Sequence, residues 1–207
     1  MLSDPAQIPI YHITDVSNLA GILRAGGLKS DFAMVDEPHT PIGYSHIKKR
    51  RMKEIRVPCC GNRFVGEFVP FYFCPRSPML FVINKGTTGR EPGCQKTILH
   101  LVSSVAIAMS LKRDWAISDG NAGAAYASFY DDLEEGIGAI DWKAVRATNW
   151  RGVTNQKSAE FLVDIFFPWS GIQSIGCYES GVAEQVHSLL NLHSNQPSVE
   201  VRPDWYY

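Results

Sequence analysis

One carboxylate heads one of the most apolar stretches of the chain. In AEFLVDIFF, residues 159–167, strand alternation places Glu160, Leu162, Asp164 and Phe166 on one face and Phe161, Val163, Ile165 and Phe167 on the other. A Glu at a strand end is ordinarily a solvated charge. Aimed into a cleft, it can instead stabilise positive charge that develops during a reaction. His12 and Thr14 share a face of the run IPIYHIT, residues 8–14, just before a helix start. A strand histidine is commonly a satisfied structural residue, and this one is also placed to meet a ligand. The segment SHIKKRRMKEIR, residues 45–56, reads as a short basic helix. Arg51 falls on the face of Tyr44 and Ile47, and Arg50 aligns with His46. One face can then hold a ligand phosphate and the other a nucleic-acid backbone, unless the whole helix is a solvated charged surface. Phe71, Tyr72, Phe73 and Arg76 mix aromatic and basic side chains. Such a mixture can stack on and clamp a single strand, or be core plus one surface charge.

Other chemistries are not supported. Cys59 and Cys60 with Cys74, His39 and His46 match no structural zinc spacing, so no metal is expected. There is no GxGxxG, no Walker A sequence and no GxSxG. The 5 cysteines, an odd number without a CxxC pair, make a poor disulfide framework and fit a reduced, cytoplasmic compartment. With 20 Lys and Arg against 21 Asp and Glu, the net charge of -1 gives no global attraction to a polyanion, so a nucleic-acid site would need a local cluster. The N-terminal MLSDPAQIPIYH has no secretory pattern, and no apolar run is long enough for a membrane span.

These residues require a scaffold, and 207 residues, 45% hydrophobic, suffice for a single folded domain spanning 1–207. Residues 8–14 read as a strand, Asp15 or Ser17 as a cap, and residues 18–25 as a helix ended by Gly26-Gly27. Residues 31–44 read as a loop. Further strands are expected at 69–74, 79–84 (MLFVIN), 97–102 and 115–118, the last followed by a turn at 119–121. Helices are expected at 104–111 and 122–135, with a long ordered loop over 136–157. Strands at 159–166, 172–178 and 200–202 and a helix at 181–192 complete the pattern. Helices interrupt strands without regular alternation, which predicts an α+β fold.

Together these motifs resemble one family. YHITDVSNLAGILRAGGL, residues 11–28, resembles the opening of the ADP-ribosyltransferase fold. YSHIKKRR at 44–51, VPFYFCPRSPMLF at 69–81, ILHLVSS at 98–104, SDGNA at 118–122, AEFLV at 159–163 and DWYY at 204–207 resemble the DarT toxins, across nearly the whole chain. The resemblance implies two packed antiparallel or mixed central sheets with flanking helices. It implies an enzyme that transfers ADP-ribose from NAD to a base, thymidine, in single-stranded DNA, and a macrodomain antitoxin, DarG, as partner. Glu160 is then the catalytic glutamate. Arg51 holds NAD and takes part in handling the base, as proton acceptor, relay or orienting group. His12, Ile13, Thr14, Gly21 and Leu28 contact NAD with Arg51. Tyr44, Arg50, Arg76 and Met79 are candidate DNA contacts, and the stretch from Asp119 to Glu160 presents the substrate. The rivals are an NAD-dependent transfer on RNA or protein and a nucleic-acid-binding module without chemistry.

Overall fold

The structure is a computed structural model that describes residues 5–207, so the first residues of the N-terminal segment considered for a leader lie outside it. The first strand, β1 (Pro9–Asp15), comes from the expected β-branched and aromatic run. Asp15 ends it by accepting the Ser17 N–H at 3.0 Å, and after one 3-10 turn α1 (Leu19–Ala25) buries Leu19 and Leu23. Gly26 closes that helix in the left-handed conformation, φ 75°. Gly27 then opens a short strand, β2 (Gly27–Lys29), that the sequence reading passed over; a Cβ there would lie 2.2 Å from the Phe167 carbonyl oxygen.

The basic helix, α2 (Ser45–Lys53), stops earlier than expected, because the chain pairs Arg56–Val57 (β3) with Arg63–Phe64 (β4). It buries none of its residues fully; instead Met52 closes on Gly66, where a Cβ would stand 2.7 Å from the Met52 side chain. Next comes β5 (Phe68–Tyr72). The strand expected from MLFVIN is a helix, α3 (Pro78–Asn84). The Ser77 hydroxyl accepts the Leu80 N–H at 3.2 Å and Pro78 occupies the first turn, and this start signal decides an apolar run whose period is ambiguous.

The wholly buried β6 (Ile98–Ser104) leads into α4 (Val105–Ser110), capped by Ser104. β7 (Trp115–Asn121) does not end in the expected turn at 119–121 but continues through it with a bulge. The helix expected over 122–135 is absent. The chain turns into β8 (Phe129–Tyr130), and α5 (Leu133–Ala139) begins only at Asp132, whose carboxylate accepts the Glu135 N–H at 2.9 Å. The expected loop over 136–157 holds the end of α5, then α6 (Trp142–Arg146) and α7 (Thr154–Lys157). Ile165, at φ 56°, splits the strand expected over 159–166 into β9 (Ala159–Asp164) and β10 (Phe166–Pro168). The chain finishes with β11 (Ser174–Cys177), α8 (Ser180–Leu190) and β12 (Ser198–Val201).

The strand order β12-β11-β6-β1-β5-β9-β7-β8 is antiparallel except between β11 and β12. Two four-stranded halves meet between β1 and β5, where Tyr11 and Tyr72 are the single pair in register. Ile10, Leu99 and Ile175 of one half and Val69, Phe71, Phe161 and Ile117 of the other fill one core, which is how the expected α+β pair of packed sheets is realised. Among the described residues no helix is long and apolar enough to cross a membrane.

Candidate active site

The seam between the halves positions the carboxylate. Tyr72 pairs with Tyr11 across the seam and with Glu160 on its other side, and Ser118 of β7 flanks Glu160 in turn. Glu160 therefore sits one strand from the place where the sheet parts. The Ser118 hydroxyl accepts the Glu160 N–H at 3.1 Å and donates to the Gly120 carbonyl at 2.7 Å, which fixes the backbone beneath the side chain. The bulge follows: Ser118 pairs with Glu160 and Asn121 with Ala159, so Asp119 and Gly120 are extra. It turns the Ala122 N–H onto Glu160 Oε1 at 3.1 Å. Gly120 is needed there, since a Cβ would lie 2.2 Å from Asn155 Nδ2 and 3.0 Å from the Asn155 carbonyl oxygen.

Across from the strand, α2 delivers Arg51. Its guanidinium donates Nη1 to Oε1 at 3.0 Å and Nη2 to Oε2 at 2.9 Å of Glu160, 109 residues away in sequence. The side chains are 11% and 1% exposed. This is the two-pronged geometry in which Arg and carboxylate match best. Burial opposes the Arg51 charge, but the Glu160 charge and hydrogen bonds outweigh it and raise the guanidinium above its ordinary value. Tyr72 is also pushed up, first by burial and then by the neighbouring Glu160 charge, so its phenol stays neutral.

The residues expected to meet NAD begin with His12. Its Nδ1 lies 2.8 Å from the Pro70 carbonyl oxygen. A carbonyl only accepts, so Nδ1 carries the proton and Nε2 is left as an acceptor. Burial lowers the pKa of His12, which keeps the ring neutral at pH 7. The same bond ties β1 to β5 beside the single registered pair. The Thr14 hydroxyl accepts from Asn18 Nδ2 at 3.2 Å. Ile13 packs with Tyr72 and Met79 in a cluster separate from the main core. Gly21 is exposed, and a Cβ there would meet only an Arg24 nitrogen, at 3.9 Å. Leu28 is buried in the main core and its backbone pairs with Phe167 in the β2–β10 ladder, so the structure does not open it to a ligand.

The candidate DNA contacts divide. Tyr44 precedes α2, donates its hydroxyl to Thr87 Oγ1 at 2.6 Å and leans on His46. Arg50 points away from Glu160 and pairs with Glu54 at 3.5 Å. Arg76 lies over the Tyr207 ring at 4.6 Å, and its buried Nε has no hydrogen-bond partner among the described residues. Met79 lies on α3, against Gly43. The sequence reading passed over Ser118 and the Ala122 N–H as partners of Glu160. SDGNA was visible as a motif, but a backbone N–H delivered by a bulge leaves no residue-type signal. Asp15 was read as a cap, and it is also a buried ionic centre bound by Thr97, Ser17 and Arg90, contacts that overcome desolvation and hold its carboxyl below the ordinary range. Among the described residues no group of three or more His, Cys, Asp or Glu side chains is placed to hold a metal.

A buried Arg–Glu pair beside a seam in an α+β sheet can stabilise a developing cation next to an anionic group, and comparison with known proteins gives the class of the chain. A DNA ADP-ribosyl transferase of Thermus aquaticus is 39% identical over 210 residues, covering 100% of this chain and 92% of that protein. The structure of Thermus sp. 2.9 DarT in complex with ADP-ribosylated ssDNA superposes with a TM-score of 0.91 at 39% identity, covering 97% of each chain. That of Thermus sp. 2.9 DarT in complex with NAD+ gives 0.87 at 35% identity over 100% of both chains. The protein is thus an NAD-dependent DNA ADP-ribosyltransferase. The family model described as ssDNA thymidine ADP-ribosyltransferase, DarT, matches residues 11–207, and the chain belongs to that family.

Proposed function

We propose that this single chain attaches ADP-ribose to thymidine in single-stranded DNA at the Glu160–Arg51 pair, as the toxin of a toxin–antitoxin system. The observation that carries the assignment of residues is the two-pronged pair itself: a carboxylate 1% exposed, oriented by two guanidinium hydrogen bonds and one backbone N–H. NAD, when bound, supplies the ADP-ribosyl group by cleavage of its nicotinamide–ribose bond, with positive charge building at the anomeric carbon. The donor set fits it. Gly21 leaves open space, His12 Nε2 is an acceptor suited to an amide or hydroxyl donor, and Thr14 and Ile13 line the same strand.

Glu160 stabilises the developing charge through a negative carboxylate already desolvated and fixed. Arg51 holds that carboxylate and reaches the anionic part of the cofactor through its remaining N–H groups. Glu160 raises the hold of Arg51 on its proton, so the guanidinium is a hydrogen-bond donor that can orient the base through its carbonyl oxygens. The acceptor edge of thymine is paired in a duplex, and single strands avoid the few kcal/mol of unpairing. Tyr44, Arg50, Arg76 and Met79 lie on the elements that flank the pair and form the DNA side, and the 119–160 segment presents the strand. The family resemblance of the sequence supports a macrodomain antitoxin as partner, and its cysteine usage supports the cytoplasm as the compartment.

The test compares acceptors. With NAD, an oligonucleotide containing thymidine should gain the mass of one ADP-ribose per modified base, and its duplex form should react far more slowly. Replacing each thymidine with deoxycytidine should abolish the gain. Modification of added RNA or protein with none on DNA would reject this reading.

A further inference from the structure

Beyond the end of the β5–β9 pair that carries Tyr72 and Glu160, a cavity of about 270 Å³ opens. Phe73, Trp142 and Tyr207 form walls, and Arg76, Arg146 and Lys157 supply charge, with no Asp or Glu among the lining residues. Phe73 and Trp142 meet edge to face at 5.6 Å, and Arg146 lies 5.6 Å over the Trp142 ring. Arg51, Arg63, Arg90 and Arg202 all have carboxylate partners. Arg76, Arg146 and Lys157 have none among the described residues. Lys157 is 3% exposed, and its ammonium donates to the Val145 carbonyl at 2.8 Å. A buried ammonium without a counter-charge is costly unless something else supplies the anion.

We propose that this cavity is the subsite for a nucleotide neighbouring the acceptor thymidine, its base against Trp142 and Phe73 and its phosphate among Arg76, Arg146 and Lys157. This rests on the DNA reading above. Chain continuity places it beside the pair: Cys74 follows Tyr72 by two residues and Lys157 precedes Glu160 by three. Aromatic walls beside unpaired cations suit a base and its phosphate.

The test uses an oligonucleotide with one thymidine and an abasic site moved through each flanking position, with wild type, Thr148→Trp, which fills the cavity mouth, and Arg146→Ala. Base stacking of about 1–3 kcal/mol corresponds to a rise of about 5- to 150-fold in oligonucleotide KM at one flanking position for wild type. Thr148→Trp should show that rise on the intact oligonucleotide and lose sensitivity to the abasic site there. Arg146→Ala should raise oligonucleotide KM and flatten its salt dependence, and KM for NAD should stay constant in both variants. A wild type that modifies DNA with a flat abasic scan, or a Thr148→Trp enzyme with the wild-type scan, would overturn the subsite. A wild type that modifies no oligonucleotide would instead overturn the reading on which it rests.

Discussion

Replacing Arg51 by Lys tests the geometry of the site without removing its charge. Arg51 makes two charge-assisted hydrogen bonds, at 3.0 and 2.9 Å, to the two oxygens of a carboxylate that is 1% exposed. A lysine ammonium is a point donor on a different stem and keeps one of them. A hydrogen bond to a charged group contributes roughly 1.5–3 kcal/mol. If the lost bond holds Glu160 in its reactive orientation, the rate should fall about 10- to 150-fold at about 1.4 kcal/mol per decade. The same loss should lower Tm by about 3–12 °C, since each kcal/mol shifts a chain of this size by about 2–4 °C. Arg51→Ala should be worse on both counts, because it leaves a buried carboxylate uncompensated at about 3–5 kcal/mol. The assay is kcat with saturating NAD and oligonucleotide, at a temperature below every Tm, with Tm from calorimetry. An Arg51→Lys enzyme within twofold of wild type would refute the claim that the fork, and not merely a positive charge, positions Glu160.

Other perturbations follow from the surroundings of the pair. Ser118→Ala strands a buried N–H and a buried carbonyl, and should cost about 1–3 kcal/mol by urea unfolding, with a fall in kcat that Ser118→Thr partly restores. Gly120→Ala places a methyl against Asn155 and should lower kcat with the circular dichroism spectrum unchanged; combining it with Asn155→Ala should recover part of the loss, and no recovery would argue against the contact. Stability should fall in acid through His100. Burial lowers its pKa from the ordinary 6.5 to about 4, so below pH 6.5 the unfolded chain binds a proton that the folded one refuses. The full contribution, about 3 kcal/mol, is present above pH 6.5 and is lost as the pH falls through about 4, with about 2 kcal/mol gone by pH 5. His100→Asn should remove this part of the slope between pH 7 and 5, and an unchanged slope would refute the assignment.

How much of this was legible in the sequence differs by element. β1, β6 and β9 carry enough β-branched and aromatic residues to declare themselves, and Gly26 after a helical run marks its own cap. MLFVIN misled because a short apolar run satisfies both periods, and the Ser77–Pro78 start signal was the better guide. Residues 122–135 misled because the alanines and acids of that stretch favour a helix, but Asn121 and Asp119 bind the backbone at Gly123 and Ser128 and turn the chain instead. Glu160 and Arg51 were visible as residues of the right kind, but no local pattern joins positions 109 residues apart. DWYY is explained only in three dimensions: Tyr206 is buried with its hydroxyl on the Ile98 carbonyl at 2.7 Å, and Trp205 covers Gly176 so closely that a Cβ would lie 2.4 Å from its ring.

The central claim is that Glu160 takes part in DNA modification. The most direct measurement is the mass of a single-thymidine, single-stranded oligonucleotide after incubation with NAD and either wild type or Glu160→Gln, with both proteins shown folded by calorimetry. The amide keeps the shape and can still accept the Ala122 N–H, but it has no charge. The account predicts one ADP-ribose added by wild type and a rate lower by about 10²–10³ or more for Glu160→Gln. Equal rates of modification by the two folded proteins would contradict it.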